Sequence, residues 1–316
     1  MVNFAAKFLL TLARWIKRGG VIINEHSLSK AQTESHVRIL DRWFDFIGLE
    51  ELSHRLAQRT GRPFCLLTFD DGKRSNFSET APVLRRLRVP AVFYVTTEAL
   101  TTGSCLWFDQ RDQLVRQLGY CPRGLELDTL KELPFDRLRE RLERASAEHH
   151  FVPVAEGDEV RPMSWEEARI LRRWGFTIGA HGVTHSILTR EPPERALAEI
   201  EESMAKVTRE LGEPCQTFAF PNGNYTVELA QHAARCGART VMTTDPMWVD
   251  DKAILWRLPR IQLFGEGAPA RLEAKIALAA FKGALVNPNG SGRSYRTAHC
   301  GRGTHSTATP VCSANR

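Results

Sequence analysis

No stretch of these 316 residues stays apolar long enough to cross a bilayer. A spanning helix needs about 20 consecutive apolar residues, so no transmembrane segment is expected. No run of five or more like charges occurs, and no internal repeat. Charge blocks are the usual mark of nucleic-acid-binding arms, and no nucleic-acid motif is present, so no nucleic-acid partner is expected. The formal charge of +6 is spread along the chain and reads as solvated surface. No CxxC pair exists among the seven cysteines, Cys65, Cys105, Cys121, Cys215, Cys236, Cys300 and Cys312. An odd, scattered set argues against a disulfide framework and for a reducing compartment. The N-terminus lacks a small-residue cleavage site, so no signal peptide is read there. The expected location is cytoplasmic, with association at the inner face of a membrane as the alternative.

With 42% hydrophobic residues the chain can bury a full core. Residues 4–18 form an expected amphipathic helix with Lys7, Arg14, Lys17 and Arg18 on or near one side. Such a helix lies on a membrane surface or packs on its own domain, and both readings stay open. Gly19-Gly20 ends it. Val21 to His26 then reads as a buried strand with a polar end, and residues 32–59 carry apolar positions at helical spacing. Cys65-Leu66-Leu67-Thr68-Phe69 reads as a second buried strand, Ala81 to Leu87 as a helix, and Ala91 to Val95 as a strand. Strand, helix, strand at this spacing predicts a parallel sheet or barrel.

From about residue 103 to 162 the pattern is charged and helical, read as an insertion on the rim of the main domain. The βα rhythm then resumes. Helices are expected over Trp165–Trp174, Pro193–Leu211, Val227–Cys236 and Ala270–Leu285. Strands are expected over Phe176–Ala180, Thr217–Phe220, Thr240–Met242 and Leu258–Leu263. The tail, 286–316, is rich in Gly, Ser, Thr, Asn and Arg and is expected to be disordered. The domain reading is therefore a terminal helix over 1–20, a barrel over 21–285, and the tail.

The strand at Cys65 runs into Asp70-Asp71-Gly72. Two adjacent carboxylates repel unless a positive group stands beside them. One can then hold a metal ion while the other moves protons; the competing reading is an ordinary Asx-Gly turn. His181-Gly182-Val183-Thr184-His185 comes directly after another strand. Two histidines four apart can grip one ion. In a parallel barrel the strand ends meet at one mouth, so Asp71, His181 and His185 offer one carboxylate and two imidazoles to a zinc-type ion with positions left open. His149, His150, His232, His299 and His305 have no such spacing. Trp107, Trp248 and Trp256 could stack on sugar rings or pack in the core. Glu166 and Glu167, after Ser164, read as helix-cap residues.

Thr68-Phe69-Asp70-Asp71-Gly72 together with His181 to Leu188 resembles the NodB-homology polysaccharide deacetylases, carbohydrate esterase family 4. Phe218-Ala219-Phe220-Pro221-Asn222-Gly223-Asn224-Tyr225 is similar to that family's third motif. The resemblance spans about residues 20–285. It implies an α/β fold, a distorted (β/α)7 barrel, and metal-dependent removal of an N-acyl group from an amino sugar. It implies Asp70 as the base acting on metal-bound water, with Asp71, His181 and His185 as ligands of a divalent ion, Zn²⁺ first, Co²⁺ or Mn²⁺ next. The backbone N–H of Asn222 matches the oxyanion donor.

Three positions depart from the family pattern. The arginine that orients the base is Ala219 here, and the tyrosine slot is Asn222. Leu258-Pro259-Arg260-Ile261 stands where a Leu-x-His is usual. Exopolysaccharide members carry an N-terminal Tyr-His-x-Val strand instead, and Ile22 to Leu28 is similar, with Glu25 for the tyrosine. His26 is thus the candidate general acid, an imidazole being the side chain that changes charge nearest neutral pH. Arg260 is a candidate substitute for the missing arginine or a structural ion-pair partner. The expected substrate is a polysaccharide, an oligosaccharide or a lipid-linked glycan. Alternatives are deformylation of a related lipid-linked sugar and a glycan-binding module that has lost turnover.

Overall fold

The apolar runs pair side by side in a computed structural model that describes residues 7–13, 19–58, 61–263 and 269–282. The strands are β1 (Gly20–Glu25), β2 (Asp45–Phe46), β3 (Phe64–Phe69), β4 (Ala91–Val95), β5 (Thr177–Ala180), β6 (Thr217–Ala219), β7 (Thr240–Met242) and β8 (Ile261–Gln262). Their spatial order is β7-β6-β5-β4-β3-β1-β8, with β2 on the flank of β3, and these pairings are parallel. Leu258 bridges Met242 in parallel while Ile261 pairs with Ile23. The segment 258–262 therefore ties β7 to β1 and closes the curled sheet into a distorted barrel.

Alternation along the strands decides what faces inward. Ile22, Phe64, Leu66, Val92, Tyr94, Ala219, Met242 and Leu258 share one buried cluster. Val21, Ile23, Cys65, Leu67, Phe69, Phe93 and Ile178 belong to a second, larger one, which also holds the apolar faces of the helices. The first lines the barrel and the second lies between barrel and helices. Burying a side chain of this size contributes about 1.5–3 kcal/mol, so a register slip on any of these strands would be strongly opposed. By the same parity Thr68 on β3, and the positions of His26, Asp70 and His181 just past β1, β3 and β5, continue the inward-facing rows.

The helices begin where the side chains allow. Helix α1 (Lys30–Asp41) is capped by Ser29, with Gln32 closing the box. The long helical stretch expected over residues 32–59 is broken. After α1 the chain forms β2 and then a short helix α2 (Leu52–Ala57). Trp43, Phe44 and Ile47 keep helical spacing, but Asp45 N–H donates to Pro63 O and Ile47 N–H to Cys65 O, so pairing with β3 outweighs local periodicity. The other helices are α3 (Ala81–Leu87), α4 (Thr97–Thr102), α5 (Trp107–Leu118), α6 (Leu127–Lys131), α7 (Phe135–Glu148), α8 (Trp165–Arg173), α9 (Pro193–Leu211), α10 (Val227–Arg235) and α11 (Pro269–Lys282). Ser164 and Glu167 form the capping box of α8. Helices α5, α6 and α7 build a core of their own from Leu114, Leu125, Leu130, Leu138 and Leu142.

Of the expected N-terminal amphipathic helix, residues 7–13 are described and are helical, with Leu10 and Ala13 buried in the main core and Phe8 exposed. The expected tail, 286–316, lies outside the described residues. Among the described residues no helix is long and apolar enough to cross a membrane.

Candidate active site

Asp70 ends the inward row of β3, and its N–H donates to Glu25 O at 3.0 Å, holding the ends of β3 and β1 together. The next residue leaves the strand in the left-handed region, Asp71 at φ 74°. Aspartate tolerates that region better than most residues. The turn sends both consecutive carboxylates to one side, where a continuing strand would have separated them. Gly72 comes next at φ 73°, and a Cβ there would lie 3.0 Å from Leu100 Cδ1 and 3.2 Å from Val95 Cα. Only glycine satisfies both the angle and the close approach.

His181 continues β5, donating its N–H to Val95 O. His185 returns the chain at φ 60°. Their rings lie 5.0 Å apart, edge to face. His185 Nε2 is 3.2 Å and His181 Nε2 3.8 Å from Asp71 Oδ1, and His181 Nε2 is 3.9 Å from Asp70 Oδ2. The loop between the histidines is cradled by Glu199 of α9. Its buried carboxylate accepts from Val183 N–H, Thr184 N–H and the Thr184 hydroxyl, at 2.7, 3.0 and 2.8 Å. A Glu inside a helix gives no sequence signal of this role beyond its position on the apolar face.

Arg260 is fully buried, and both ends of its guanidinium meet Asp70, Nη1 to Oδ1 at 2.7 Å and Nη2 to Oδ2 at 2.8 Å. Its Nε donates to Thr243 O, and Nη1 also donates to Thr68 Oγ1. The barrel seam, where 258–262 crosses from β7 to β1, delivers this side chain to the base of the site. Burial by itself would raise the Asp70 pKa. Arg260 is its main opponent, and Arg260, His181 and His26 together hold the carboxyl below its ordinary range.

A family model described as polysaccharide deacetylase matches residues 57–241, more than half of the chain. The chain belongs to the polysaccharide deacetylase family. Members of this family are amide hydrolases acting on N-acetyl groups. Among solved structures, the Streptococcus pyogenes deacetylase PplD is similar at TM-score 0.58 and 16% identity, covering 81% of this chain and 97% of its own. IcaB from Ammonifex degensii is similar at 0.56 and 17%, covering 83% and 97%. The BpsB deacetylase domain from Bordetella bronchiseptica is similar at 0.54 and 14%, covering 78% and 96%. At these identities the likeness is one of fold. No curated protein matches the chain in sequence.

Deacetylases of this family are metal-dependent, and the donor set here fits a divalent ion. Asp71 Oδ1 is buried with no hydrogen-bond partner. It faces two imidazole nitrogens, and the three ligand atoms lie within 4.8 Å of one another. His181 Nδ1 lies 2.8 Å from Ala219 O; a carbonyl only accepts, so Nδ1 carries the proton and Nε2 keeps its lone pair. Burial lowers the His181 pKa to about 4, so the ring is neutral at neutral pH. Two nitrogens and one oxygen suit Zn²⁺, and also Co²⁺ or Mn²⁺. A second grouping, Glu201, His232 and Cys236, lies on α9 and at the end of α10. There Glu201 is exposed and pairs with His232 at 2.8 Å.

The remaining candidates sit around this cluster. His26 is half-buried just past β1, close enough that a positive charge on its ring would lower the pKa of both Asp70 and Asp71, so it shares their end of the barrel. Glu25 points to the other face and is bound to His36 Nδ1 at 2.8 Å. Asn222 stands after Pro221 and β6, exposed and at φ 56°. Trp107 and Trp248 are buried, their indoles donating to His185 O and Ile276 O, and Trp256 packs partly buried against the core. Trp248 and Trp256 therefore serve packing, while Trp107 is tied to the backbone of His185.

Proposed function

We propose that this deacetylase removes the N-acetyl group of an amino sugar in a polysaccharide, oligosaccharide or lipid-linked glycan, in a reaction that depends on a divalent ion, first of all Zn²⁺. The observation that carries the reading is the convergence of Asp71, His181 and His185 beside a second carboxylate that is itself clamped by Arg260. The ion, when bound, polarises the acyl carbonyl and makes a water more acidic. Asp70 then takes the proton of the attacking water. It is ionised at neutral pH and fixed in direction by two guanidinium bonds, which suits a general base. The Asn222 backbone N–H donates to the oxyanion. His26, entering the step protonated, gives its proton to the nitrogen as the C–N bond breaks, and the proton taken by Asp70 passes on to solvent while His26 takes one up again. The products are the free amine and acetic acid, which ionise in water to ammonium and acetate.

The family's exopolysaccharide members motivate the glycan substrate and the His26 assignment. His26→Gln is expected to lower kcat by about a hundredfold or more while Zn²⁺ affinity stays within a few-fold of wild type. Unchanged turnover would remove the acid role.

The function is tested by acetate release from N-acetylglucosamine oligomers and polymers, with formate release from formamido sugars as a parallel arm. Chelation is expected to abolish release, and Zn²⁺ or Co²⁺ to restore it. Formate without acetate would change the acyl group assigned. Glycan binding by folded, metal-loaded protein with no release of either acid would favour the binding-module reading.

A further inference from the structure

The two histidines of the cluster are held by different means. His181 is oriented through its own ring, by the bond from Nδ1 to Ala219 O. His185 has no such device: its Nδ1 is buried without a hydrogen-bond partner. Its backbone sits at φ 60°, a conformation that a non-glycine residue holds only when its surroundings impose it. On the Nδ1 side, then, something other than a ring hydrogen bond must hold the ring that points Nε2 at Asp71.

The first turn of α5, in the helical insertion, supplies that restraint. The Trp107 indole N–H donates to His185 O at 3.1 Å and anchors the strained backbone. The Phe108 ring meets the His185 ring at 5.0 Å and 67°, an edge-to-face contact. Asp109 forms a buried ion pair with Lys73, two residues past Asp71, and the Lys73 ammonium lies 5.0 Å over the Phe108 ring. Three consecutive residues thus touch the backbone of one ligand, its ring, and the segment that carries another.

We propose that Trp107 and Phe108 are positioning residues that aim His185 at the cation, so that the insertion is a working part of the metal centre and not a rim ornament. The proposal rests on the reading of Asp71, His181 and His185 as a cation site. An aromatic packed in the insertion core would matter for folding alone. A positioning aromatic also changes how tightly the ion is held.

The experiment is a chelator-competition titration of Zn²⁺ with the full chain, together with the visible spectrum of the Co²⁺ form. Trp107→Phe keeps an aromatic ring but deletes the N–H donor together with the five-membered ring, and Phe108→Leu keeps an apolar side chain but deletes the aromatic edge. Each is expected to weaken Zn²⁺ binding by about tenfold or more, the range typical of lost outer-sphere partners, and to alter the Co²⁺ absorption. Phe108→Tyr, which keeps the edge, is expected to bind Zn²⁺ as wild type does. If Trp107→Phe and Phe108→Leu bind Zn²⁺ within twofold of wild type, even with a lowered melting temperature, their role is structural and the proposal fails. His185→Ala and Asp71→Asn separate the two layers. If these also leave affinity unchanged, the cation-site reading itself fails.

Discussion

Asp70→Asn is expected to lower kcat for acetate release by about a thousandfold, in the middle of the range for a lost general base, while Zn²⁺ affinity changes little. The substitution keeps the size of the side chain and leaves the three proposed ligands, Asp71, His181 and His185, untouched. An asparagine oxygen still accepts from Arg260, but the buried guanidinium loses its counter-charge. Stability is therefore expected to fall by about 3 kcal/mol, and the rate comparison is made below the lowered melting temperature. Steady-state kinetics with metal-saturated protein gives the answer. A variant that loses kcat and kcat/KM together has lost something made only in the transition state. Turnover within tenfold of wild type would mean that another group takes the proton, and Asp70 would become a structural partner of Arg260.

Much of this site could be read along the chain because strand parity and strand ends carry it. The run from Cys65 to Phe69 and the run from Phe176 to Ala180 each announce a buried strand, and a parallel barrel gathers the residues just past each strand at one mouth. Asp70, Asp71, His181 and His185 were visible for that reason. What parity could not show is the turn at Asp71. It takes a left-handed residue to put two neighbouring carboxylates on the same side. Arg260 was a candidate through the family resemblance, as a stand-in for the arginine that Ala219 lacks. Its position against Asp70 depends on how a short, irregular seam closes the barrel, and no local pattern encodes that. Glu199 and the first turn of α5 were missed for a related reason. Each acts through a neighbour more than ten residues away, and each looks, in sequence, like an ordinary helical residue. The strand β2 was missed because its two residues lie within an apolar spacing that fits a helix equally well.

Arg260→Met is expected to invert the pH behaviour of the site. In the wild-type protein Asp70 is held below the ordinary carboxylate range, so its contribution to stability is present above the unfolded carboxylate pKa of 3.8 and is lost as pH falls through the folded value. Methionine fills the space of the arginine stem but leaves burial, the largest single influence on Asp70, without its main opponent. The carboxyl pKa then rises, and at neutral pH the protein carries a buried charge with its principal partner removed. The expected loss is about 3–5 kcal/mol at pH 7. The loss shrinks as the pH is lowered and Asp70 takes up a proton, the opposite trend to wild type. The acid limb of kcat/KM is expected to move to higher pH for the same reason, since the base is now protonated over more of the range. Arg260→Lys keeps the charge but cannot make the two-point contact; it is expected to fall between the two in stability and to recover part of the acid-limb shift. Thermal denaturation measured from about pH 3 to 9, and kcat/KM over the part of that range in which the protein stays folded, report both effects. An acid limb in Arg260→Met that coincides with the wild-type limb would show that Arg260 holds the barrel seam and leaves the base untouched.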